Sequence, residues 1–108
     1  GNLGVPDMHV GDTEDAMPKL VSVLRELRPK IILLPYFADL HPDHAATGQV
    51  GNMAAFMAKI ARYLTPDGKQ QPPHQVSLTA YYMLHTEFAP SFVLDVSEEH
   101  QTKMRSIH

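Results

Sequence analysis

An α/β fold with a mostly parallel sheet is the expectation for these 108 residues, on three observations. Lys30-Ile31-Ile32-Leu33-Leu34-Pro35-Tyr36 is a short apolar run without alternation, the mark of a strand buried on both faces. The stretches before and after it carry apolar residues at spacings of three and four, so helices flank it. Between this strand and the second helix lies a polar loop with two histidines, and open α/β sheets place their chemistry outside the carboxyl ends of strands. Helix, turn, buried strand argues for βαβ-type layering.

Taken in order, residues 1–12 hold Gly, Asn, Pro and Asp at close spacing and read as loop. Asp7, His9 and Asp12 lie here as a solvated turn rather than as ligands, because no element fixes them. Asp12-Thr13-Glu14-Asp15 is a helix start, with Thr13 or Asp15 as cap and Pro18 in the first turn. Met17, Leu20, Val21, Leu24 and Leu27 form its apolar stripe, Lys19, Arg25 and Glu26 its solvated face, and Arg28-Pro29 its end. After the strand, residues 45–64 read as a second helix with a stripe of Ala46, Val50, Met53, Met57, Ile60 and Leu64. Gly48 and Gly51 weaken a helix, so close packing against the sheet is the reason to expect them there. Thr65-Pro66-Asp67-Gly68 is a stop, and residues 69–74 are a polar, Pro-rich loop in which His74 is solvated. Val76 to Met83 reads as a strand, Leu84-His85-Thr86-Glu87 as a connection, and Phe92 to Val96 as another short strand. Ser97 with Glu98 and Glu99 starts a last helix.

Composition narrows the function. With 44% hydrophobic and 19% charged residues the chain is globular rather than disordered. A net charge of −3 without a basic block argues against nucleic acid or an anionic membrane surface as partner. There is no apolar run of bilayer length and no signal-peptide pattern. Cys is absent, so a metal would be held by His, Asp or Glu, and a cytoplasmic protein is expected. The start without Met and the end without a helix stop suggest a segment of a longer protein, residues 1–108 forming a single partial domain truncated at both ends.

The chemistry is expected at Asp39-Leu40-His41-Pro42-Asp43-His44. A catalytic zinc site commonly has three His or carboxylate ligands and a water. The metal lowers the pKa of that water to about 7 and polarises a carbonyl, which suits amide hydrolysis. If His44 opens the helix and His41 sits in the loop, the two rings approach one centre, one as ligand and the other as acid, base or clamp. Asp43 would orient an imidazole by accepting its N–H. A bland alternative makes these two exposed histidines with Asp43 as a cap; the place after a buried strand favours function. A third ligand and a general base are missing from this loop, and Asp39 and Asp95 are the internal candidates, Asp95 rather as a structural residue.

Arg28-Pro-Lys-Ile-Ile-Leu-Leu-Pro-Tyr36 followed by Asp39-Leu-His41-Pro-Asp43-His44 resembles the second motif of the LmbE/PIG-L family of zinc-dependent de-N-acetylases. Asn2-Leu-Gly-Val-Pro-Asp7, Tyr81-Tyr-Met-Leu-His85 and Pro90-Ser-Phe-Val-Leu-Asp95-Val-Ser97 are similar to its bacillithiol-biosynthesis branch, which deacetylates N-acetylglucosaminyl-malate. The resemblance implies a Rossmann-like three-layer fold, zinc held by His44, and His41 as the catalytic histidine with Asp43 as its relay partner. It implies a small-molecule N-acetylated amino-sugar substrate and leaves a homo-oligomer open. The family's first motif, an Ala-His-Pro-Asp-Asp-Glu-like run with the other zinc ligands and the general base, is not in this sequence, so the segment alone is expected to be inactive. Leu40 departs from the Arg that bacillithiol-type members often carry there, which questions the malate substrate but not the de-N-acetylation. The rival expectations are a non-enzymatic α/β module holding an anion or nucleotide, against which no Gly-rich phosphate loop is present, and a structural fragment with no site.

Overall fold

The computed structural model describes residues 1–107, without the side chain of Thr13. The expected Thr13 cap and the end of the expected last helix at His108 therefore lie outside the described residues. The elements run α1 (Thr13–Leu27), β1 (Ile31–Pro35), α2 (Pro42–Ala58), β2 (Leu78–Tyr82) and α3 (His100–Ile107). The strands pair in parallel, Ile31 opposite Leu78 through Pro35 opposite Tyr82. Beyond β1 the Tyr36 amide still donates to the Tyr82 carbonyl (3.1 Å), so both strands deliver their following loops to the same edge of the sheet.

Helix α1 packs against α2, and α2 lies on β1. Val21 and Leu24 meet Ala54 and Ala58 at the centre of the core, with Met17, Leu20, Ile32, Tyr63 and Val76 around them. Small residues on α2 set the approach. A Cβ on Gly48 would strike the Pro35 carbonyl oxygen and lie 2.9 Å from the Phe37 Cα. One on Gly51 would strike the Leu34 side chain. The expected close packing is present, but the buried stripe is shifted: α2 buries Gly48, Val50, Gly51, Ala54 and Ala58, and of the predicted positions only Val50 is among them, with Met57 partly buried against the core. Helix–sheet contact here selects small residues, so the larger Met53 is left 45% exposed.

The second helix also ends earlier than residues 45–64 suggest. It stops at Ala58, and Ile60 and Leu64 fall in the turns beyond it. The cause is Arg25. Its Nε donates to the Ala58 carbonyl (3.0 Å), its Nη2 to Ile60 (2.7 Å) and its Nη1 to Tyr63 (2.8 Å), supplying the donors that further helix would have provided. Arg25 is thus buried rather than on the solvated face. Leu27, read as part of the α1 stripe, is 72% exposed at the helix end. Pro18 lies in the second turn of α1, not the first, because the helix starts at Thr13. Asp12 is the N-cap residue but makes no side-chain capping bond.

Two other readings change. Residues 92–96 form no strand: they find no neighbouring strand among the described residues, and Phe92, Val93, Leu94 and Val96 are exposed. Residues 97–99 are turn, and α3 begins only at His100. His74 is not a freely solvated side chain: its Nε2 lies 2.7 Å from the Pro29 carbonyl and its amide donates to Ala58, which ties the loop before β2 to the ends of α1 and α2.

Candidate metal and catalytic site

The carboxyl ends of β1 and β2 face each other through their loops, and Asp39 is the group on which both loops converge. Its side chain is fully buried. Oδ1 accepts the His41 amide (3.0 Å) and faces His44 Nδ1 at 3.0 Å. Oδ2 accepts the amides of His85 (2.9 Å) and Thr86 (3.0 Å). Thr86 closes the junction from its own side, its hydroxyl oxygen accepting the Leu40 amide at 2.9 Å. Burial works against ionisation of Asp39, but the bonds from His41, Thr86, His85 and His44 outweigh it and hold the carboxyl well below the usual carboxylate range. Asp39 is therefore a carboxylate, and its partner atom on His44 carries a proton.

His41 is the N-cap of α2. Its Nδ1 accepts the Asp43 amide at 3.2 Å, and Pro42 follows as the first helical residue. A ring nitrogen that accepts has no proton, so His41 bears its hydrogen on Nε2. Asp43 takes a different position from the expected one. Its Oδ2 accepts the Met8 amide at 2.7 Å, so the carboxylate fastens the N-terminal loop while its backbone, not its side chain, meets the His41 ring. The Met8 amide, against the opposing effect of burial, lowers the Asp43 pKa. Asp7 and His9 are exposed in that loop, and Met8 holds a left-handed φ of 62° where it bonds Asp43.

Three imidazoles gather at this edge. His41 and His44 stack with centroids 4.4 Å apart, and the rings of His44 and His85, 5.1 Å apart, are nearly parallel, at 4°. His85 Nδ1 is 3.6 Å from Asp39 Oδ1, and its side chain is 59% exposed. Asp39, His44 and His85 offer ligand atoms within 4.8 Å of one another. The donor chemistry fits a zinc-type ion at His44, whose Nδ1 is taken up by a carboxylate and whose Nε2 is left as a lone pair. Asp39 fits less well as a ligand, since its four acceptor positions are already filled by N–H groups. His85, read from sequence as part of a connection, is the member of the cluster that the linear pattern missed. Only the end of a strand parallel to β1 would have pointed to it. Asp95 stays outside the site: its Oδ1 accepts the amide and hydroxyl of Ser97, a local turn.

The fold and the site together define an α/β protein whose strand-end loops set a histidine cluster around a buried carboxylate. Residues 2–55 match the PIG-L family, described as GlcNAc-PI de-N-acetylase, and the chain belongs to that family. It is 30% identical over 119 aligned positions to the diacetylchitobiose deacetylase of Thermococcus kodakarensis, covering 97% of this chain and 43% of that protein. The crystal structure of the conserved protein TT1542 from Thermus thermophilus superposes with a TM-score of 0.75 at 27% identity, over 99% of this chain and 44% of that one. The chain thus spans less than half the length of these relatives. No helix among the described residues is long and apolar enough to cross a membrane.

Proposed function

We propose that the protein carrying this chain is a zinc-dependent de-N-acetylase of N-acetylglucosamine-type sugar conjugates. The observation that supports this most is the division of labour between two adjacent imidazoles: Asp39 takes Nδ1 of His44, while the α2 backbone takes Nδ1 of His41. His44 is then the metal-holding residue through Nε2, with the remaining ligands and the general base on residues outside these 108. A bound zinc ion supplies polarisation of the acetamide carbonyl and a lowered pKa for water.

His41 presents Nε2–H as a hydrogen-bond donor to the oxygen that becomes negative as the acetamide carbon turns tetrahedral. Asp43 is a positioning residue for this donor, fixing the tautomer through its amide and fastening the loop above through its carboxylate. The positive end of α2 favours the same developing charge. The proton taken from the attacking water by the general base would pass to the leaving amine and complete amide cleavage, while neutral His41, its Nδ1 held by the Asp43 amide, keeps its Nε2 proton throughout.

The narrower substrate is N-acetylglucosaminyl-malate, as the bacillithiol-type resemblance implies, in a cytoplasmic enzyme. Leu40, 84% exposed beside His41, favours a second candidate, a neutral chito-disaccharide. The relative named diacetylchitobiose deacetylase points the same way. Acetate release by the full-length protein from both compounds, with and without zinc, tests the assignment. His44→Ala is expected to abolish turnover and zinc binding. His41→Ala is expected to lower kcat by about 10²–10³-fold, the range for loss of one oxyanion donor, with zinc still bound. Full activity in His44→Ala would refute the reading.

A further inference from the structure

Resting on that reading of His44, we propose that Asp39 is the positioning residue of the site: its buried carboxylate fixes His44 as the Nδ1–H tautomer and, through the His85 and Thr86 amides, holds the second strand-end loop against the first. Four N–H groups from two stretches of chain, residues 41–44 and 85–86, converge on one side chain with no exposure. Three of the four are backbone amides, whose hydrogens cannot be moved by rotating a bond. The fourth, on His44, is the one partner that has a choice of tautomer. The carboxylate removes that choice, because only Nδ1–H satisfies Oδ1. The result is a lone pair on Nε2 before any metal arrives.

The arrangement also explains why His85 lies beside His44 although the two are far apart in sequence. The loop after β2 contributes two consecutive amides to Oδ2, and the Thr86 hydroxyl accepts Leu40 N–H in return. Asp39 therefore sets the spacing between the imidazoles of both loops. It touches neither substrate nor reacting atoms in this role and acts through His44.

Asp39→Asn isolates the effect. An amide oxygen can satisfy one pair of donors, and the rigid pair is His85 N–H and Thr86 N–H. The amide nitrogen then falls where Oδ1 was and turns a donor toward His44 Nδ1. His44 is expected to shift to the Nε2–H tautomer, losing its metal-facing lone pair. Long-range ¹H–¹⁵N correlation spectra of the metal-free full-length protein, labelled at histidine, read this directly. The unsubstituted protein should show His44 protonated at Nδ1 and bare at Nε2, with Zn(II) shifting the Nε2 signal. Asp39→Asn should invert that pattern and weaken Zn(II) binding by about 10- to 100-fold, the range for loss of a group orienting a metal-bound histidine.

An unsubstituted protein with His44 as Nε2–H overturns the proposal whether or not the variant folds. Unchanged tautomer and unchanged Zn(II) affinity in a folded Asp39→Asn also overturn it. An unsubstituted protein with the expected tautomer but no zinc-dependent acetate release supports the role of Asp39 while removing the deacetylase assignment, so the two can fail separately.

Discussion

Asp67 accepts the hydroxyls of Thr65 (2.6 Å) and Ser22 (2.8 Å) and the Lys69 amide (3.2 Å), which joins the turn after α2 to the middle of α1. The two hydroxyls, Thr65 first, lower its pKa from 3.8 to about 2. A folded-state pKa below the unfolded one stabilises the fold fully above the unfolded value and loses that contribution as pH falls through the folded value. The loss therefore falls between 3.8 and about 2. Thermal midpoints measured across that interval should fall less steeply in Asp67→Asn than in the unsubstituted protein; parallel curves would count against this role. Single residues were the level at which sequence reading was least complete. Arg25 looks solvated by helical position, because nothing in its own helix announces that another helix ends beneath it. His85 looks like loop filler for the same reason. Asp39, by contrast, could be picked out as a candidate because it follows an apolar strand, though its saturation by amides could not.

At the scale of elements, α2 was legible in type, but its start, at Pro42 rather than residue 45, its length and its buried face were not. Local periodicity ranks large apolar residues first, whereas a helix pressed on a strand end needs the smallest ones. Gly48 and Gly51 should respond differently to enlargement. Gly48→Ala places its Cβ against the backbone of Pro35 and Phe37, which cannot move without disturbing the loop that carries His41. Gly51→Ala meets the Leu34 side chain, which can repack. We expect Gly51→Ala to cost about 1–3 kcal/mol, the range for overpacking, with zinc affinity retained. Gly48→Ala should cost more and weaken zinc binding as well. Urea unfolding beside zinc titration separates the two, and equal effects at both positions would contradict this packing. The absent strand at 92–96 fits the same limit: β-propensity is a preference for a pleated, half-buried surface, and this segment finds none.

The whole molecule keeps what the sequence made most visible: an α/β layering, a parallel pair of strands, and a histidine cluster at their carboxyl ends. The less visible part is long-range. Burial on β1 alternates, with Ile32 and Leu34 toward the helices while Ile31 is 56% and Leu33 67% exposed on the other face, so an unalternating apolar run did not mean cover on both sides. Asp39 and its partners His85 and Thr86 are 46 and 47 residues apart, and they meet only when β2 has docked in register beside β1. Closing a loop of that length before its contacts reward it is slow. Helix α2 and its His41 cap are local and can form early; the Asp39 junction cannot. In stopped-flow refolding of the full-length protein, helical signal should therefore appear ahead of competence to bind zinc tightly, and simultaneous recovery would speak against it. The buried carboxylate that tunes one imidazole would thus also order events in time, withholding high metal affinity until β2 has docked beside β1.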